Sequence, residues 1–232
     1  MTYLTQLLVS VVSAIAGTVV GALLGYWISM GSWRRQVGLL LAREICKPLY
    51  AEIVQGMKKA EACSALDLSG IRSTTENVYY LLAPKRIKEA TAEWEEMTSS
   101  YNQSRERLQG DILEVFEAEL EERANSLAEN RRQEALSAIR RDISRDNWLG
   151  DDTLADLVKS ELTNDGFWFI ANAKRKWANS PDESSLVVGM PAAVHRTVKD
   201  RDSFHWYLDA REALLRAKSV TEAFRREMAT IT

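Results

Sequence analysis

The first 33 residues carry no Asp, Glu, Lys or Arg, although the whole chain holds 30 Lys and Arg and 33 Asp and Glu. This asymmetry constrains the fold more than any other feature. An uncharged helix of that length, at about 1.5 Å per residue, is longer than the roughly 30 Å hydrocarbon core of a bilayer. Residues 4–30 therefore read as a transmembrane helix. A cleaved signal peptide would need a basic N-terminal region and an apolar core of only about 7–15 residues. The opening MTYLTQ has no basic residue and the apolar run is longer, so an uncleaved anchor is expected.

The flanks set the orientation, because cytoplasmic segments next to a span are enriched in Lys and Arg. None precedes the run; Arg34, Arg35, Arg43, Lys47, Lys58 and Lys59 follow it, against Glu44 and Glu52. The N-terminus is expected outside and the rest of the chain in the cytoplasm, at the inner (plasma) membrane. Tyr26, Trp27 and Trp33 supply rings suited to the inner headgroup layer, with Tyr3 as a weaker outer counterpart. Trp27, Trp33, Arg34 and Arg35 are thus the expected interface residues.

Ser13, Gly17, Gly21 and Gly25 recur every four residues, with Ser29 continuing the spacing. Helices in lipid associate through close backbone approach, which small residues permit. The stripe fits packing on a second copy or on another membrane protein. It also fits the general abundance of glycine in membrane helices.

Residues 34–66 read as an amphipathic juxtamembrane helix. Val37, Leu40, Leu41, Ile45, Leu49, Ile53, Val54 and Met57 recur at intervals of three and four, and Pro48 is expected to kink or divide it. Its basic residues suit a membrane surface; its acidic residues and broad apolar face suit packing into the body better. The MGS at 30–32 is expected to loosen the helix at the membrane boundary.

Residues 67–232 read as one cytoplasmic helical domain. The stretch 68–84 predicts a loop and then a short helix capped by Ser73, Thr74 or Thr75. Residues 85–145 predict long helix interrupted near Gly110, with Ile87, Trp94, Met97, Tyr101 and Leu108 at a seven-like period. Glu114, Glu117, Glu119, Glu121 and Glu122 precede Arg131, Arg132, Arg140, Arg141 and Arg145. That segregation suits an antiparallel pairing or a solvated face. A strand is plausible only around 186–188, and helix is expected over 203–231 with a break at Ser219. The fold class is mainly α: a single transmembrane helix, then a bundle of long, charged, partly coiled-coil-like helices.

Chemistry is sparsely signalled. Cys46 and Cys63 form no CxxC and read as free thiols. His205 and Asp209 stand one helical turn apart, and with His195 they are the weak metal candidates, but no HExxH or EF-hand pattern accompanies them. No metal or cofactor is expected. Phe167, Trp168, Lys174, Arg175, Lys176 and Trp177 form either a ligand or partner patch or a core helix with a basic rim. Phosphate loops, nucleophile elbows and dinucleotide fingerprints are missing from the sequence. The net charge of −3 gives no basis for nucleic-acid binding by bulk charge.

These features point to a non-enzymatic anchor that tethers or scaffolds protein partners, with lipid and a second copy or another membrane protein as neighbours. An alternative fits the same features: an effector of a bacterial defence or toxin-like system, whose body senses a ligand or partner and whose span oligomerises to perturb the bilayer. A membrane-tethered hydrolase or metal enzyme is the third and weakest reading.

Overall fold

A computed structural model describes residues 2–146 and 190–231, together with Leu154, Ala155, Leu157, Val158, Leu186 and Val187. The chain is mainly α-helical, with no strand among the described residues. Leu186 and Val187, where a strand was expected, are helical and buried.

Helix α1 spans Thr2–Leu41, a π turn follows at Ala42–Cys46, and α2 spans Lys47–Glu61. The helical run is uninterrupted from Thr2 to Glu61, so neither Gly31 nor Pro48 breaks it. Pro48 lacks the N–H that an α-helix would direct at the Glu44 carbonyl, and its ring crowds that carbonyl. The chain widens just before it: the Lys47 N–H donates to the Ala42 carbonyl, five residues back. Pro48 then sits in the first turn of α2, where no donor is needed.

Helix α2 ends in a Schellman arrangement. Ser64 N–H donates to the Lys59 carbonyl at 2.9 Å and Cys63 N–H to the Ala60 carbonyl at 3.1 Å, with Cys63 left-handed at φ 58. Glycine usually takes that position; here the side chain is buried in the core instead.

Helix α3 covers Ser69–Thr75 and a 3-10 turn covers Val78–Leu82. The expected caps Ser73, Thr74 and Thr75 thus lie inside α3. Asn77 does the capping, its side chain accepting from the Tyr79 N–H at 3.0 Å. Helix α4, Lys85–Ala124, is unbroken through Gly110, and the chain turns instead at residues 125–128 before α5, Glu129–Asp146. Ser126 marks that turn, its hydroxyl donating to the Arg123 carbonyl at 2.7 Å. The last helices are α6, Met190–Lys199; α7, Asp202–Leu215; and α8, Lys218–Ile231. The break between α7 and α8 falls at Arg216 and Ala217, not at Ser219.

Helix α4 is the spine of the body. Ile87, Trp94, Tyr101, Leu108 and Val115 are all buried at strict seven-residue spacing. That period keeps one seam facing its neighbours over about 40 Å of helix. Ile45 of the π turn, Leu49 and Ile53 of α2, Phe204, Tyr207 and Leu214 of α7, and Val220 and Phe224 of α8 complete the core. Arg140 of α5 reaches back to Glu117 at 2.9 Å and Glu121 at 2.7 Å, joining the basic and acidic stretches of α5 and α4.

Among the described residues no helix is long and apolar enough to cross a membrane. The span expected over residues 4–30 is not met there. The side chains of α1 are described from Thr18 onward, and this half of the uncharged run is diluted by Gly21, Gly25, Gly31, Ser29 and the rings of Tyr26, Trp27 and Trp33.

Candidate functional site

The described part of α1 stands clear of the body. Val19, Val20, Leu23, Leu24, Trp27 and Ile28 are all more than half exposed. Among its described side chains, α1 joins the core at its C-terminal end, through Val37 and Leu41. An apolar helix surface exposed on every side is unusual for a surface helix, whose apolar residues ordinarily form one inward stripe.

Within the small-residue stripe, Gly21 and Gly25 face open space. A methyl group added at Gly21 or Gly25 would meet no atom within 4 Å. The surroundings of Ser13 and Gly17 lie outside what the structure describes. Trp33, Arg34 and Arg35 are exposed at the foot of the run.

The 3-10 turn Val78–Leu82 packs against α1 and against the π turn that follows it. Tyr79 and Tyr80 pack inward on the core, while Val78, Leu81 and Leu82 point to the surface. Sequence reasoning passed over this face. Its signal was the run VYYLLAP, too apolar for a solvated connection and too short to bury all of itself.

The body's polar interior converges on the end of α2. Arg211 of α7 donates to the carbonyls of Ala60 and Glu61, each at 2.9 Å, and Arg105 of α4 donates to the Cys63 carbonyl at 3.1 Å. Cations there complement the negative end of the helix dipole. Asn102 clamps the following loop, accepting from the Leu66 N–H at 3.0 Å and donating to the Leu66 carbonyl at 2.8 Å. The Tyr101 hydroxyl donates to the Ser64 carbonyl at 3.1 Å and lies 3.3 Å from the Tyr207 hydroxyl. Burial, with Cys63 and Tyr101 alongside, raises the Tyr207 phenol far above its ordinary range. Both hydroxyls stay protonated, and the cluster holds the loop rather than presenting a reactive group.

Two depressions adjoin this loop and share Leu66 and Asp67. One is a crevice of about 10 Å³ between Gly56, Trp94 and Thr98, the size of a single water. The Thr98 hydroxyl is buried there without a protein partner. The other is an open groove lined by Arg72, Glu76 and Asn102. Ser69 donates to Asp67 through its hydroxyl and its N–H, which holds that carboxyl below its usual range.

The histidines lie on separate helices. His195 on α6 is half-buried; burial and then Lys199 lower its basicity, opposed by a hydrogen bond to the Leu157 backbone. His205 and Asp209 lie exposed on α7. Among the described residues no three His, Cys, Asp or Glu side chains gather as metal ligands. Phe167, Trp168, Lys174, Arg175, Lys176 and Trp177 lie outside the described residues. Comparison with protein families, with curated proteins and with solved structures finds no match.

Proposed function

We propose that this protein is a single-span membrane anchor whose helical body binds protein partners at the cytoplasmic face. One observation carries the reading: the uncharged residues 2–33 belong to a single helix whose described large apolar side chains from Val19 to Ile28 are all more than half exposed. Exposing them to water would forgo about 25 cal/mol for each Å² of apolar surface, whereas hydrocarbon accepts them. The apolar half before Thr18, with Leu7, Leu8, Val9, Val11, Val12 and Ile15, extends the same run by sequence. Arg34 and Arg35 directly after it favour a cytoplasmic body. Confinement to a surface raises the effective concentration of any partner held there, so tethering alone promotes assembly.

The test is membrane fractionation of the full chain beside a form lacking residues 1–33, with a topology reporter fused after Thr232. The full chain is expected to stay in the membrane fraction after alkaline carbonate washing, with the reporter cytoplasmic. The shortened form is expected to be soluble and predominantly helical by circular dichroism. Release of the full chain by carbonate defeats the anchor, and an external reporter defeats the orientation.

A further inference from the structure

We propose that the 3-10 turn Val78–Leu82 is a lipid-docking patch that seats the body on an anionic bilayer surface beside the root of α1. The inference rests on the membrane-anchored reading of α1, and it adds where the body touches the bilayer and which headgroups it takes.

Val78, Leu81 and Leu82 are 67%, 75% and 53% exposed. At three residues per turn, Val78 and Leu81 fall in line along one edge. The turn packs against α1, whose core-packed side chains are Val37 and Leu41. The patch therefore lies level with the last turns of α1. From Trp33, half exposed at the end of the uncharged run, to Val37 is about 6 Å of helix, close to the depth of one headgroup layer. An apolar face at that depth meets the headgroup layer, where the polar lipid heads and their charges lie.

Charge around the patch selects the lipid. The Lys88 ammonium donates to the Leu81 carbonyl at 2.8 Å, which fixes a cation on the turn itself. Lys85, three residues past the turn, and Arg34 and Arg35 at the end of the uncharged run are also exposed. The acids of these segments are Glu44, Glu76 and Glu89; Arg43 faces Glu44 at 3.2 Å and Lys85 faces Glu89 at 3.4 Å. The surplus is positive. A second copy on this face would bring cation against cation, whereas anionic headgroups neutralise them, each cation near such a surface favouring association about fivefold.

The experiment places an environment-sensitive fluorophore on Leu81→Cys in the full chain, reconstituted into phosphatidylcholine vesicles with or without phosphatidylglycerol. Cys46 and Cys63 are buried, so the folded protein takes label at the new thiol. Lipids with spin-labelled headgroups are expected to quench position 81 severalfold more than the same label on Glu134→Cys, an exposed site on α5. The quenching is expected to grow with phosphatidylglycerol. Vesicle flotation reports the anchor separately. Flotation with no quenching at position 81 overturns the patch and leaves the anchor standing; failure to float overturns both. Equal quenching in neutral vesicles overturns the anionic assignment. A label already shielded in detergent, in proportion to protein concentration, gives the face to a second copy and overturns the proposal.

Discussion

Single residues in this body are set by what stands opposite them, and its glycines show it. Gly110 has no atom within 4 Å of where a methyl would be, whereas a methyl on Gly56 would lie 2.7 Å from the Trp94 ring. Gly110→Ala is therefore expected to stabilise the protein by about 0.5–1 kcal/mol, since alanine loses less backbone entropy in a helix. Gly56→Ala gains the same propensity but overpacks against a buried tryptophan, for a net loss of about 1 kcal/mol. Urea denaturation of the two variants reads the difference, and equal shifts would refute the packing account. From sequence Gly110 was the expected break and Gly56 drew no notice, because propensity is local and the Trp94 contact is not. Cys46 offers a titration. Burial, with Glu227 adding to it, pushes this thiol from 9.0 up to about 11. The folded state thus holds the proton more tightly than the unfolded chain. Its contribution is fully present below pH 9 and is lost as pH rises through 11, on the order of 2 kcal/mol. Denaturation midpoints across that window should fall less steeply in Cys46→Ala than in the parent.

Among elements, α4 was the most legible. Its seven-residue recurrence is visible in the sequence, and the structure buries Ile87, Trp94, Tyr101 and Leu108 along one seam. Leu108→Ala is expected to cost about 2–5 kcal/mol, whereas Leu113→Ala, on the exposed side, should stay within about 0.5 kcal/mol. Thermal unfolding of both variants checks which face is inward. What could not be read was where helices stop. The end of α4 at Ala124 depends on the Asn125–Ser126 turn and its hydroxyl bond to Arg123, one weak local cue inside a strongly helical run. Pro48 misleads in the opposite sense, since a five-residue π turn absorbs the ring that should have broken the helix. The loop clamp by Asn102, Arg105 and Arg211 joins residues up to 151 positions apart. No spacing rule reaches that far.

For the whole molecule, the open stripe on α1 makes a prediction about assembly. Gly21→Ile places branched bulk where nothing in the chain stands opposite, so folding should be unaffected. Contacts between membrane helices are worth about 1–2 kcal/mol each, and a clash at a crossing point removes several together. Self-association of α1 in a membrane reporter assay is expected to fall with Gly21→Ile and to persist with Val20→Ile, while both variants insert. Identical behaviour would remove the stripe from any self-packing role. The unbroken helix from Thr2 to Glu61 has a mechanical consequence as well. A shaft without a joint transmits azimuth: each residue of an α-helix turns its face by about 100° while advancing about 1.5 Å. One alanine inserted after Arg35 should swing the body, and position 81 with it, to a different compass bearing about α1 at almost unchanged height. Seven inserted residues fall only about 20° short of full turns and should bring the bearing back. Headgroup quenching at position 81 answers to height and not to bearing, so it should survive one inserted residue and be lost after seven, which lift the body about 10 Å off the surface.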